Sequence, residues 1–291
     1  RSDGSPVYNL TNVVDDYDMS ISHIIRGEDH IANTPKQILI YKALCWTVPI
    51  FAHLPMILGQ DKKRLSKRHG ATGVQTYRDE GYQSEALLNY LSLLGWNPGT
   101  EEEIMSLSKI IDQFDLLKVH KKSAVFDDKK LNWISGQHLG MQANEDILIR
   151  IRLIKPNWGK TESNDFCLSV INLMKGRSKS LLDLIENSVY YFQDPTEFNE
   201  KVLRKTWKDD TSNIVESVHS ILDSMEIWNA ELLEDTLKDF MESNELGFGK
   251  VMKPVRLAIC GRVNGPSLFL IMELIGQSTC IRRINKAIGT F

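Results

Sequence analysis

Residues 52–70 read AHLPMILGQDKKRLSKRHG, an apolar run broken by Pro55 and then an abruptly basic one. Residues 54–58 have the content of a short buried strand, and Gly59 with the charged residues after it turns that strand into a loop. Residues 60–70 hold five Lys or Arg against one Asp. A loop that sets cations beside a serine, as in Arg64-Leu65-Ser66-Lys67-Arg68, can wrap the phosphates of a nucleotide. A unit charge pair about 4 Å apart contributes roughly 4 kcal/mol at an effective dielectric near 20, so charge forming during a reaction would be strongly stabilised there. On its own the string also fits a solvated surface loop, and no P-loop or Rossmann glycine string accompanies it.

Working outward from this loop, Thr34-Pro35-Lys36-Gln37 reads as a helix start. Thr34 is placed to cap, Pro35 occupies the first turn where no amide donor is needed, and Gln37 completes a capping box. Ile38, Tyr41 and Cys45 follow on one face, with Leu44 adjoining. Residues 23–27, HIIRG, read as a short buried strand, and residues 7–14 as a strand interrupted by polar positions. Strand, helix, strand implies α/β architecture around the loop. Downstream the character changes. Residues 84–94 place Leu87, Tyr90, Leu91 and Leu94 on one side of a helix closed by Gly95, and the stretches from Leu107 and Lys129 are also helical. Beyond residue 141 strand signals nearly vanish, and nine segments between 147 and 288 carry helical spacing. The chain therefore divides near 70, 140 and 195, into segments 1–70, 71–140, 141–195 and 196–291, the last two helical modules of a bundle or cage type.

Composition is that of an ordinary globular protein: 291 residues, 42% apolar and 25% charged. No segment approaches the roughly 20 apolar residues of a membrane span, and no signal leader stands at the start. Cys45, Cys167, Cys260 and Cys280 are scattered without a CxxC pair, so a zinc site is not expected and reduced, cytoplasmic thiols are. The net charge of −3 conceals local positive patches: residues 242–291 carry seven Lys or Arg against three Glu. A surface that follows a nucleic-acid backbone needs a local patch, not a positive protein.

The strings SDGSPVYNL (2–10), VVDD (13–16), HIIRGEDH (23–30) and NTPKQ (33–37), then AHLPMILG leading into RLSKR, stand in an order that resembles the second half of the catalytic domain of glutamate-tRNA ligases. GYQSEALLNYLSLLGW (81–96) and SAVFDDKKLNW (123–133) resemble the same family's stem-contact region. The resemblance covers essentially the whole chain, densely to about residue 135 and more thinly after it. It implies a multidomain α/β plus all-α fold: a partial class I synthetase Rossmann-like catalytic domain (1–70), a helical stem-contact domain (71–140) and two α-helical anticodon-binding subdomains (141–195 and 196–291). A helical anticodon-binding half is the bacterial arrangement.

The resemblance also implies roles. Tyr8 and Arg26 correspond to contacts with the amino-acid substrate, and a guanidinium fork suits a carboxylate. Their structural alternatives are a half-buried core tyrosine and an Arg26 ion pair with Glu28 or Asp29. Lys67 corresponds to the signature lysine that steadies the phosphates of ATP. Arg64 stands where most of the family has lysine, and Ser66 and Arg68 shape the loop and assist. Met56, Ile57 and Leu58 flank the adenine. Arg177 is the candidate anticodon contact, and Lys250, Lys253, Arg256, Arg282 and Arg283 are candidate contacts to the tRNA backbone. Trp207 and Trp228 read either as base-stacking platforms or, at helical spacing, as core.

The implied reaction uses ATP, Mg²⁺ and L-glutamate, passes through glutamyl-adenylate and ends on tRNA(Glu), in a cytoplasmic monomer. A ligase that charges both tRNA(Glu) and tRNA(Gln) is the alternative. The family's HIGH-type element, which belongs before the RLSKR loop, is not among residues 1–63, and His138-Leu139-Gly140-Met141 lies on the wrong side of the loop to supply it. The chain is thus expected to lack the first half of the catalytic domain, to make no adenylate alone and to retain tRNA recognition.

Overall fold

The computed structural model describes residues 1–66, 73–208 and 210–291. Lys67 and Arg68 lie outside the described residues. The chain forms two compact units, Arg1–His138 and Leu139–Phe291.

In the first unit, strand β1 (His23–Gly27) pairs in parallel with β2 (Ile50–Leu54), with His23 opposite Ile50 and Arg26 opposite His53. Parallel neighbours need a crossover, and helix α2 (Thr34–Ala43) provides it. A second parallel pair joins β3 (Ile57–Leu58) to β4 (Ala124–Val125). Residues 7–14, expected as a strand, belong to helix α1 (Tyr8–Asp18) instead. Leu10, Val13, Val14 and Tyr17 recur at steps of three and four, and Val13 is fully buried, so the helical period prevails over the strand-like composition.

The capping box does not form. Asn33 stands at the cap position of α2 without a side-chain bond, while Thr34 and Gln37 turn inward and are buried. Of the expected apolar face only Tyr41 is buried, and Leu44 and Cys45 are exposed.

Helices α3 (Val74–Asp79), α4 (Ser84–Leu93), α5 (Leu107–Gln113) and α6 (Asp128–Met141) complete this unit, α6 running on past its boundary. Tyr77, Leu87, Tyr90, Phe126, Leu131 and Ile134 share one apolar cluster, in which the Tyr90 and Phe126 rings meet edge-on at 5.1 Å. The buried face of α4 is rotated from the expected one: Leu91 is exposed and Asn89 is buried. Asn89 Oδ1 accepts hydrogen bonds from the Met105 amide and from His138 Nε2, both at 2.9 Å, while its Nδ2 is buried without a partner.

His138 is therefore a structural histidine. Burial holds its imidazole below the usual range, with Glu85 opposing. Below about pH 6.5 the unfolded chain takes up a proton that the folded chain resists, so stability is complete above that pH and falls as pH drops below it. Replacing His138 with Gln keeps a donor for Asn89 and should flatten the decline of the unfolding midpoint between about pH 7 and pH 5. Equal slopes for both proteins would refute the assignment.

The second unit is helical: α7 (Asn144–Ile154), α8 (Asn164–Met174), α9 (Leu181–Asn187), α10 (Glu200–Thr206), α11 (Thr211–Asp223), α12 (Ala230–Ser243), α13 (Phe248–Cys260), α14 (Leu268–Ile275) and α15 (Gln277–Ile288). Helices α11 and α12 each bury one stripe, Val215, Val218 and Leu222 on α11 and Leu233, Leu237 and Met241 on α12, while α13 is buried on nearly every side from Val251 to Cys260. These stripes merge into one apolar cluster from Leu139 to Ala287. Each fully buried aliphatic side chain contributes about 1.5–3 kcal/mol. Gly261 ends α13 in the left-handed region at φ +69°, where a Cβ would come within 2.9 Å of Pro195. Among the described residues no helix is long and apolar enough to cross a membrane.

Candidate functional site

In parallel α/β sheets the carboxyl ends of the strands are where ligands gather, and Arg26 and His53 stand opposite one another at those ends of β1 and β2. Arg26 Nη2 donates to Thr34 Oγ1 at 2.6 Å and to Gln37 Oε1 at 2.8 Å, and its guanidinium lies over the Phe51 ring, 5.2 Å from the centroid. Gln37 Nε2 donates in turn to Asn9 Oδ1 at 3.3 Å. The inward turn of Thr34 and Gln37 is thus explained: they hold the arginine. Both Nη2 protons are engaged, Nε is buried without a partner, and Nη1 makes no hydrogen bond to a described residue. The fork is therefore open to a ligand on its Nη1 side.

The ion pair once open to Arg26 does not form with Glu28 or Asp29. Glu28 accepts from the Met56 amide at 3.0 Å, and Asp29 pairs with Arg64 at 3.2 Å. Tyr8 is half-exposed, and its hydroxyl lies 3.3 Å from His30 Nδ1. Tyr8 and Arg26 are brought into one region through His30, Thr34 and Gln37, since the Thr34 hydroxyl also lies 3.3 Å from the His30 carbonyl.

The entrance to the basic loop is pinned. The Leu65 amide donates to the Ile57 carbonyl at 2.9 Å, Gly59 and Lys63 close a tight turn at 2.8 Å, and Leu58 bridges Arg64. Arg64 is thereby carried to Asp29, with its side chain 67% exposed. Ile57 and Leu58 form β3, immediately before the turn that leads into the loop. Ile57 also lines an apolar cavity of about 240 Å³ with Leu91, Trp96 and Phe114. Ser66 is the last described residue before Lys67 and Arg68.

In the second unit Arg177 ends a short 3₁₀ turn and is exposed. It shares a cavity of about 580 Å³ with Phe248, Lys253, Arg256, Asn264 and Gly265. A neighbouring cavity of about 760 Å³ is lined by Lys201, Lys205, Lys208, Lys250 and Lys253, so Lys253 belongs to both. Lys250 is ion-paired with Asp210 at 2.5 Å, and that hydrogen bond holds the Asp210 carboxyl below its ordinary range. The lysines of α10 were not singled out in the sequence; their i, i+4 spacing at 201 and 205 was the available signal.

Arg283 requires a correction. It is 3% exposed and donates from Nε to Asp194 at 2.9 Å, from Nη1 to the Tyr190 and Ile259 carbonyls at 2.8 Å, and from Nη2 to the Gln193 carbonyl at 3.1 Å. Its donors are engaged inside the fold, so it is not a contact for tRNA. Arg282 is exposed and also pairs with Asp194. Trp207 and Trp228 are core residues whose indole N–H groups donate to Ser212 Oγ and to the Met272 carbonyl. Among the described residues no group of three or more His, Cys, Asp or Glu could hold a metal ion. All four thiols are free, and burial pushes Cys260 up to about 12.

Comparison with known proteins accounts for both units. Residues 1–133 match the family model for class I tRNA synthetases (E and Q), catalytic domain, and residues 147–288 match the anticodon binding domain model. The two matched models give the chain a partial class I synthetase fold followed by an anticodon-binding-like helical part. More particularly, it is a homologue of the glutamate-tRNA ligases across both regions. It is 43% identical over 295 residues to the glutamate-tRNA ligase of Moorella thermoacetica, covering 99% of this chain and 60% of the relative. Identity to glutamate-tRNA ligase 2 of Thermoanaerobacter pseudethanolicus is 40% over 292 residues, covering 99% and 61%. The solved glutamate tRNA ligase of Elizabethkingia meningosepticum, a complex with its amino acid, superposes with a TM-score of 0.79 at 36% identity, over 99% of this chain and 61% of that one. The chain thus spans about three fifths of the length of the relatives it matches.

Proposed function

We propose that the whole protein attaches L-glutamate to tRNA(Glu), using ATP, in a cytoplasmic monomer. The observation that carries this reading is the Arg26 clamp at the carboxyl ends of β1 and β2, with a guanidinium held rigid and open on its Nη1 side. A carboxylate side chain pairs with such a group through charge-assisted hydrogen bonds, whereas a carboxamide forgoes the charge. Tyr8 forms the second wall for the amino acid.

In the first step a glutamate carboxylate oxygen attacks the α-phosphorus of ATP, the bond to the β-phosphate bridging oxygen breaks, and pyrophosphate leaves. In the second a terminal ribose hydroxyl of the tRNA attacks the activated carbonyl and AMP leaves. No protein nucleophile is required; catalysis is positioning and charge stabilisation. Lys67 and Arg68, with Arg64 and Ser66 beside them, are the loop residues assigned to the phosphates, and Met56–Leu58 flank the adenine. Mg²⁺ bound with ATP would supply charge neutralisation at the phosphates.

The tRNA reading rests on the adjoining basic cavities of the second unit, with Arg177 as the anticodon contact and Lys250, Lys253, Arg256 and Arg282 as backbone contacts. The 291 residues by themselves are expected to bind tRNA and to turn over no ATP. Binding to tRNA(Glu), tRNA(Gln) and an unrelated tRNA across a salt series tests this. Selective binding to tRNA(Glu) supports a discriminating ligase, and equal binding to the first two supports dual specificity. Equal binding to all three, lost steeply with salt, reduces the surface to a basic patch.

A further inference from the structure

We propose that His53 is a positioning residue for the amino-acid site: through the Thr34 hydroxyl it fixes the acceptor that holds Arg26 in its carboxylate-binding pose. This rests on the reading that Arg26 takes the substrate carboxylate. His53 Nε2 lies 2.9 Å from Thr34 Oγ1, which itself accepts from Arg26 Nη2 at 2.6 Å. A hydroxyl has one proton. In this proposal the Thr34 hydroxyl, which also lies 3.3 Å from the His30 carbonyl, gives its proton to the nearer His53 Nε2 and turns its lone pairs toward the guanidinium.

The register makes the pairing obligatory, because Arg26 and His53 are cross-strand partners and Phe51, two residues earlier on the same face, lies under the guanidinium. The Phe51 and His53 rings are parallel, with centroids 6.5 Å apart. Burial, then the charge of Arg26, then His30 hold the His53 imidazole below its usual range, consistent with a neutral ring that accepts at Nε2. On the other flank Gln37, 2% exposed, is oriented by Asn9, so its carbonyl and not its amide meets Arg26. The result is a polar chain Asn9–Gln37–Arg26–Thr34–His53, with Arg26 Nη1 as its open group.

The test measures KM for glutamate and for ATP in the whole protein carrying His53→Phe, His53→Gln, Thr34→Val, the His53→Phe/Thr34→Val pair, and Arg26→Lys. A loosened charge-assisted contact should raise the glutamate KM about ten- to a hundredfold in His53→Phe and Thr34→Val, leaving the ATP KM unchanged. His53→Gln, whose carbonyl can accept the Thr34 proton, should recover most of the loss. The double variant should be no worse than either single one, since both remove the same link. An unchanged glutamate KM in His53→Phe, a parallel rise in both KM values, or additive effects would overturn the proposal. Should His53→Phe fold poorly, Thr34→Val and His53→Gln carry the same comparison. If Arg26→Lys leaves the glutamate KM unchanged, it is the carboxylate reading of Arg26 that fails, and with it the proposal; if only the His53 and Thr34 variants are silent, the proposal alone fails.

Discussion

Replacing Arg283 with Met should destabilise the protein by about 3–5 kcal/mol, the usual consequence of removing one partner from a buried, hydrogen-bonded ion pair. The methionine fills part of the space, but it leaves Asp194 without one of its two arginines and the Tyr190, Gln193 and Ile259 carbonyls without a donor. For a unit of this size that corresponds to a melting temperature lower by about 10 °C. Arg282→Ala removes the other, exposed partner of Asp194 and should cost less than about 1 kcal/mol. Differential scanning calorimetry of the two variants separates them, and equal shifts would contradict the burial argument. The pH dependence has a definite sign. Burial tends to raise the Asp194 carboxyl, but the hydrogen bonds from Arg282 and Arg283 outweigh it and hold the group below the usual range. The stabilisation is complete above the unfolded carboxyl value near 3.9 and is lost as pH falls through the lower, folded value.

Arg26→Gln in the whole protein should reduce kcat/KM for glutamate by about two to three powers of ten, the loss expected when a desolvated charge-assisted pair loses its cation. The glutamine is shorter and neutral, and Thr34 and Gln37 are left with no guanidinium between them. Because the ATP site lies elsewhere in the proposed arrangement, the KM for ATP should hold within about a factor of two to three. Steady-state aminoacylation at saturating tRNA measures both constants. A fall confined to kcat with glutamate KM unchanged would place Arg26 outside amino-acid binding.

Local sequence reading succeeded where one face of one element decides the structure. The helices after residue 141 were legible because Val215, Val218 and Leu222, or Leu233, Leu237 and Met241, repeat at helical steps and all lie in the core. It failed where a distant segment decides. Thr34 and Gln37 have the spacing of a capping box, yet a strand eleven residues before Gln37 delivers Arg26 to them, and a charged donor outcompetes a backbone amide. Residues 7–14 misled for a different reason: the valines have strand propensity, while the period of their neighbours is helical. Arg283 looked like its neighbour Arg282, and nothing in the local string tells which of two adjacent arginines points inward. His30 and His53 lie within the strings HIIRGEDH and AHLPMILG, but those strings attach no role to either. Only the register of β1 against β2, and the return of α2 over both, made them neighbours of the site.

The network around Arg283 bears on how the second unit comes apart. One side chain donates to carbonyls at Tyr190 and Gln193, before α10, and at Ile259 in α13, while its own backbone lies in α15. Those attachment points are separated by up to 93 positions along the chain. The apolar cluster they border takes in buried residues from Leu139 to Ala287, so detaching a subset of helices would uncover apolar surface. Partial opening would expose both a cut hydrocarbon face and a solitary buried charge, so intermediate states are penalised twice. The helices of this unit are therefore expected to melt in a single cooperative transition, which coincident calorimetric and circular-dichroism midpoints would check.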